Sequence, residues 1–335
     1  MQRVRVRTVA GAILLGGCVA DPELAGPMAV RNQHPAQLTV MHLPTAGARS
    51  LPEGKVAVRG DAAYSNLFLL GSGANGARWK MDGEYLRVAT SLRAGLGGGL
   101  ELGVEAPFAH TSGGFLDSFV IDYHDTLGLP DQNRQNSPRD DFEIAARRGS
   151  RDVWTVSEEN GTLLDVPLWL SWQITDPDAG LGLAVRGGIE LPTGNDRRGY
   201  GNGELDTSVG LVLEDHAFGC GFYGHVQHTF AGTPDQSRDQ GFRFRDVTSV
   251  GLAIEAPLDT GLAGLLQFEW ETSTLRDLGI RTTTRDQLLL WAGFRLGLDT
   301  DTTVEVGFGE DLIGLVSPDF TAWLALTWTP GLGQR

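Results

Sequence analysis

The sequence predicts an all-β chain, a transmembrane antiparallel up-and-down β-barrel of about twelve strands with its long loops on the extracellular side. Three observations carry this expectation. Between residues 53 and 329 the breaks separating short segments are alternately brief and long. Within the segments every second residue is large and apolar. The intervening residues keep charge interleaved with glycine at mid-segment, as a polar lumen demands.

The chain opens with Arg3, Arg5 and Arg7 ahead of a short apolar stretch from Val9 to Leu15, the pattern of an export signal covering residues 1–17. Leu15-Gly16-Gly17-Cys18 resembles a bacterial lipobox, which makes Cys18 the expected lipidated mature N-terminus. Ordinary cleavage after Ala20 is the alternative. Residues 18–52 form an expected periplasmic lead in which Pro22, Pro27, Pro35 and Pro44 interrupt regular structure. Gln37 to Met41 could make one brief strand there.

Residues 53–329 make the barrel. The brief breaks fall at Ala94–Gly98, Thr175–Gly180, Asp215–His216, Pro257–Gly261 and Asp299–Asp301. The long ones fall at Ser65–Gly83, Ala109–Gly161, Pro192–Gly203, Ala231–Phe244, Ser273–Asp286 and Glu310–Asp319. Leu100, Leu102, Val104 and Phe108 alternate with Glu101, Gly103 and Glu105. Leu164 to Ile174 alternate with Asp165, Ser171 and Gln173, and Leu181 to Leu191 with Arg186, Gly188 and Glu190. Leu266, Phe268 and Trp270 oppose Gln267, Glu269 and Glu271, while Leu288 to Leu296 oppose Gln287, Gly293 and Arg295. Period-two alternation assigns the apolar set to lipid and the polar set to the lumen. Segments near the roughly 9–11 residues that cross a hydrocarbon core complete the match. Phe320 to Trp328 is the closing strand, similar to the aromatic-ended terminal strands read by barrel assembly machinery, and residues 330–335 are a tail. Trp172 and Trp328 belong to the periplasmic aromatic girdle.

Composition fits one barrel. Glycine, 46 of 335 residues, is about twice its usual share near 7%. The mean hydropathy of −0.13 hides the membrane signal because half of each strand is polar. A net charge of −15 argues against nucleic acid, whose phosphates need a basic face. Apart from Cys18 the chain has one cysteine, Cys220, so an internal disulfide is not expected.

The candidate site is the lumen. Arg59, Arg87, Arg186 and Arg295, with Lys55 and Arg93, face Glu101, Glu105, Glu190, Glu269 and Glu271, with Glu204, Asp206 and Glu305. Such charges either ring a pore, where the acid excess favours cations, or pair and close it. Ala109–Gly161 should lie outside the cell or fold inward as a plug, and its Asp122–Leu129 stretch suits a short helix with Asp122 as N-cap. Its acids Asp122, Asp125, Asp131, Asp140 and Asp141, together with His124, match no Ca²⁺ loop spacing, so a solvated loop held by Arg134 and Arg139 is the better reading. His225 and Ser249 sit at similar heights on neighbouring segments and could form a hydrolase dyad, yet both face the lumen and neither an orienting acid nor an oxyanion donor is evident.

Val30-Arg31-Asn32-Gln33-His34-Pro35, with Asp122-Tyr123-His124-Asp125-Thr126-Leu127-Gly128-Leu129-Pro130 and Arg134, resembles a bacterial envelope family, the domain of unknown function numbered 3187. The resemblance implies an outer-membrane barrel and assigns no activity. The expectation is an outer-membrane barrel of a Gram-negative-type bacterium, either a small, mostly occluded channel or a structural or surface-interaction barrel. A barrel-embedded lipid hydrolase is a third reading. Outer-membrane lipid and the assembly machinery are the expected partners, and no cofactor or metal is expected.

Overall fold

The computed structural model describes residues 24–73, 76–127, 134, 137–312, 317, 318 and 320–331. The export signal, Cys18 and the end of the tail lie outside them. Fifteen strands form: β1 (Val56–Ser72), β2 (Ala77–Gly97), β3 (Leu100–Ser112), β4 (Glu143–Arg148), β5 (Arg151–Val156), β6 (Glu159–Leu163), β7 (Val166–Thr175), β8 (Gly182–Leu191), β9 (Asp206–Ala217), β10 (Cys220–Phe230), β11 (Val247–Asp259), β12 (Leu262–Glu271), β13 (Gln287–Gly297), β14 (Thr302–Asp311) and β15 (Phe320–Trp328). One 11-residue helix, α1 (Asp117–Leu127), lies between β3 and β4.

Twelve of these strands, β1–β3 and β7–β15, close an antiparallel barrel. The closure is β1 against β15, in register from Val58–Trp328 to Asn66–Phe320. No sheet edge is left along the wall, the condition for a sheet to face hydrocarbon. Tight turns join β2–β3, β9–β10 and β11–β12 at one end, and the long connections gather at the other.

Alternation fixes which way each side chain points. Leu102, Phe108, Leu170, Trp172, Leu252, Phe294, Leu324 and Trp328 are exposed on the outer face. Glu101, Glu105, Arg186, Glu269, Glu271 and Arg295 are buried on the inner face. Trp172 and Trp328 both sit at the short-turn end, opposite Leu100 and Thr302 respectively.

Several expected boundaries move. The break Ser65–Gly83 is mostly strand, because β1 and β2 continue pairing out to Ser72–Arg78. Their outer residues remain apolar on the inner face (Leu67, Leu69, Trp79, Met81), where they find a core at the long-loop end. The β9–β10 turn is at Phe218–Gly219 rather than Asp215–His216, with Phe218 at a positive φ of 56°. Gln37–Thr39 is a 3₁₀ turn, not part of a strand. Helix α1 begins at Asp117, so Asp122 lies inside it and does not cap it.

Candidate functional site

The lumen is filled by the chain's own N-terminal segment. Residues 24–52, expected as a periplasmic lead, run up the inside of the barrel from the short-turn end, reverse at His34–Val40, and descend to enter β1. The reason is in the segment's composition. Met28, Val30, Leu38, Val40, Met41 and Leu43 are all at most 3% exposed, and outside the barrel they would have nothing to cover them.

The wall meets this segment with side-chain acceptors and donors. On the rising arm, Ala25 N and Gly26 N donate to the Glu255 carboxylate at 3.0 and 2.9 Å, and Arg295 donates to Gly26 O at 2.7 Å. Met28 and Val30 pack with Trp291, Leu289, Ala63 and Trp323. Asn32 Nδ2 donates to both Glu271 and Gln287 at 2.5 Å, and Gln37 Nε2 reaches Glu271 at 2.8 Å. On the descending arm, Met41 N donates to Asp206 (3.0 Å), Leu43 N to Gln227 (3.0 Å) and Ala48 N to Glu214 (2.7 Å). Ser50 N reaches Gln173 at 2.9 Å and Leu51 N reaches Glu101 at 3.0 Å. Arg186 donates to Pro44 O. An extended segment without a strand partner must satisfy its backbone somewhere, and here inward carboxylates and amides supply what a sheet neighbour would.

At the long-loop end the connections close the mouth. The β4–β5 hairpin brings Trp154 onto Trp79, ring centroids 6.1 Å apart, with Phe244 edge-on at 5.8 Å. His34 stacks on the other side of Trp79 at 5.4 Å. Leu38 and Val40 from the segment join Phe242, Leu275, Leu278 and Ile280 in one apolar cap. His34 Nδ1 accepts from Ala36 N at 3.2 Å, and burial lowers its imidazole to about 3. Burial first, then the charges of Arg31, His225 and Arg186, hold His42 well below its ordinary value, and Gln227 bonds it at 2.9 Å. At the short-turn end the lumen stays open as a vestibule of about 570 Å³ between the two arms and the wall, lined by Arg59, Asp61, Arg93, Glu101, Glu214 and Arg295 among others.

Of the expected lumen charges Glu204 is corrected, since it lies in the connection before β9, exposed and paired with Arg238; those on the strands face inward, but they pair along the wall more than across a pore. Arg87 joins Asp61 (3.2 Å) and Glu105, and Arg59 joins Glu305 (2.8 Å). Arg295 bridges Glu305 and Glu255, each at 2.5 Å. Arg93 stands 3.4 Å from Glu101. Glu269 is bonded by Gln267 at 2.7 Å and lies 3.1 Å from His225 Nε2. Glu190 is buried beside Asp206 in the ladder, and one of its oxygens has no hydrogen bond among the described residues.

Asp61, Glu214 and Glu255 were not among the expected lumen residues. Strand parity marks Glu255, on the same face as Ser249 and Gly251, and marks Asp61 beside Arg59. Glu214 was obscured by the turn placed one residue after it.

Two further expectations are corrected. His225 lies opposite Gly251, and Ser249 opposite Gln227, so the two do not form a cross-strand pair. Of the Ala109–Gly161 insertion, the β4–β5 hairpin caps the mouth, but the part from Gly113 to α1 does not fold inward: Glu84, Asn66 and Phe68, which that part covers, lie on the outer face of β1 and β2 and are at most 1% exposed. Glu84 accepts from Phe115 N (2.8 Å) and Leu116 N (2.5 Å), and Arg134 binds Asn66 (2.5 Å) and Asp117 (2.8 Å). Arg134 thus holds the loop, as expected, though against the outside of the wall. Arg139 donates to Ser118 at 3.1 Å. Among the described residues there is no cluster of His, Cys, Asp and Glu fit to hold a metal ion.

Fold and lumen define a twelve-stranded barrel of outer-membrane type, occupied by its own N-terminal segment. The chain belongs to the DUF3187 family, described as proteins of unknown function, whose model matches residues 17–329. Comparison with curated proteins gives no match. Among solved structures it resembles the COG4313 outer membrane channel from Pseudomonas putida F1, with TM-score 0.55, 11% identity, and coverage of 86% of this chain and 100% of that one. At that identity the likeness concerns the fold alone. The KdgM porin aligns more loosely, with TM-score 0.42, 8% identity, and coverage of 82% of this chain and 98% of that one, and adds nothing further.

Proposed function

We propose that this protein is an outer-membrane channel held shut by residues 24–52, which must leave their wall contacts before solute can pass. Its short-turn end faces the periplasm and its long-loop end the exterior, the orientation that bacterial barrels of this build share. The observation that carries the proposal is the occupied lumen. A barrel needing permanent closure could fill itself with wall side chains, as small barrels do. Here the filling is a separate stretch, held largely by hydrogen bonds to side chains, with a vestibule of about 570 Å³ already open beneath it.

When the segment leaves, Glu101, Asp206, Glu214, Glu255 and Glu271 lose N–H donors, while Arg59 and Arg87 keep wall carboxylates as partners. The opened lumen is therefore acidic and prefers cations. Planar-bilayer recording of the intact protein and of a chain lacking residues 24–50 tests this. The intact chain should be nearly silent and the shortened one conductive with cation preference. A shortened chain that inserts as a heat-modifiable barrel yet conducts nothing would favour a structural or surface-interaction role.

A further inference from the structure

We infer that the segment from Gly113 to helix α1 is a collar seated on the outer leaflet, with lipid at the headgroup boundary as the partner of Phe115 and Phe119. The inference rests on the outer-membrane reading above, but not on whether the barrel conducts.

The first observation is a polar latch on the lipid-facing side of the wall. Glu84 is 1% exposed and Asn66 is fully buried, although both point away from the lumen. Glu84 takes two backbone N–H groups of the segment and the Tyr64 hydroxyl. Asp117, at the first turn of α1, pairs with Arg134, whose guanidinium lies 4.7 Å from the centroid of outward-facing Phe68. Buried charges on an outer wall are costly unless paired and covered, so this latch fixes the segment against the barrel's exterior.

The second observation is what the latch presents. Helix α1 turns Val120 and Ile121 inward against the protein, both at most 9% exposed. Ser118, Asp122, Asp125 and Thr126 face away from it. Against that polar face, Phe115 is 71% and Phe119 53% exposed, two large aromatics, the first just ahead of α1 and the second in its first turn. Phe115 lies 6.0 Å from Tyr64, and Phe119 meets Phe320 edge-on at 6.3 Å. Tyr64 and Phe320 both point outward on adjacent strands, so the four rings continue the lipid-facing surface.

Height supports the assignment. Phe320 is eight residues along β15 from Trp328, the short-turn girdle residue. At about 3.3 Å per residue and a tilt near 40° that is roughly 20 Å, close to the ~25 Å separating the two girdles of such barrels. The aromatic group therefore lies at the outer edge of the apolar band, where rings favour the headgroup level.

Site-directed spin labelling tests this in a chain whose native cysteines are replaced by serine, reconstituted in liposomes. Labels are placed singly by Phe119→Cys, Phe115→Cys, Asp125→Cys and Leu324→Cys, and collision rates with oxygen and with a nickel chelate are compared. Positions 115 and 119 should show an oxygen-to-nickel ratio several-fold above position 125 and approaching that of Leu324, which lies within the band. If Leu324 is lipid-exposed but 115 and 119 match 125, the collar is refuted while the barrel's insertion stands. A water-like ratio at Leu324 refutes the membrane reading itself, and the collar with it.

Discussion

Acid should open the barrel through His34. Its imidazole is buried between Trp79 and the rising segment, with Nδ1 accepting from Ala36 N, so the docked state holds it neutral. The docked value is about 3 against an ordinary 6.5. With the segment undocked and hydrated, the ordinary value returns. Between pH 6.5 and 3 the undocked state binds more protons, so docking is fully favoured above pH 6.5 and weakens as pH falls. At pH 5 this amounts to about 2 kcal/mol, or roughly thirtyfold in the docking equilibrium. Protonation also converts the Nδ1 acceptor into a donor facing another donor. The assay is open probability in planar bilayers at pH 7 and pH 5, for the native chain and His34→Asn. Asparagine keeps an oxygen acceptor without titrating, so its acid response should be smaller by about that factor. Equal acid responses of the two proteins would refute the reasoning.

Further tests address the anchors, the cap and the N-terminus. Glu255→Ala strips the acceptor from Ala25 and Gly26 and leaves Arg295 with one carboxylate fewer; it should weaken docking by about 3–5 kcal/mol, and Glu255→Gln by much less, read as conductance. A Cβ at Gly47 would lie 2.5 Å from Glu214 Oε2, so Gly47→Val should displace the descending arm at a cost of about 1–3 kcal/mol while leaving every strand residue as it is. Trp79→Ala removes the ring between His34 and Trp154 and should lower the midpoint of the heat-modifiable gel shift, at about 3–5 kcal/mol. Mass spectrometry of the mature N-terminus should find a lipidated Cys18 that Cys18→Ala abolishes; an unmodified chain starting at Asp21 would dismiss the lipobox.

The barrel was legible because its signal is periodic and local. Glu101 and Glu105 alternate with Leu102 and Val104, and that alone fixes which side each faces, whatever strand lies opposite. The occupied lumen was not legible, because residues 24–52 show no period. Their burial depends on partners more than a hundred residues away, as in Ala48 with Glu214. The apolar residues Met28, Val30, Leu38, Val40 and Met41 were a usable clue, since a segment left in the periplasm has no reason to carry them. The burial of Asn66 and Glu84 was not legible either, for the opposite reason. Parity sends them toward lipid, and the loop that covers them is distant in sequence and irregular. The dyad of His225 and Ser249 failed by two residues of register, because the long irregular connection between β10 and β11 sets that register and its end is not marked in the sequence: the ladder begins at Thr229 opposite Val247.

The occupied lumen also changes what Glu269 and Glu271 can reveal. Both face inward on β12, where neutralising them would weaken cation preference in an open pore. In the closed protein Glu271 is engaged by Asn32 and Gln37, and Glu269 by Gln267 with His225 alongside. Replacing both by glutamine in the full chain therefore acts first on docking, and modestly, since the amide oxygen still accepts from Asn32 and Gln37. On the proposed closed state, little ion current is expected there whose selectivity could change. In a chain lacking residues 24–50 the same two carboxylates face water and passing ions, and their fields add at short range. Glu269→Gln with Glu271→Gln should then shift the reversal potential toward zero in a salt gradient, while the full-length double variant stays nearly silent. A reversal potential unmoved in the shortened background would mean that the lumen's acid excess does not set selectivity. A full-length variant that opens widely would mean that charge at these two positions, rather than hydrogen bonding, holds the segment in place.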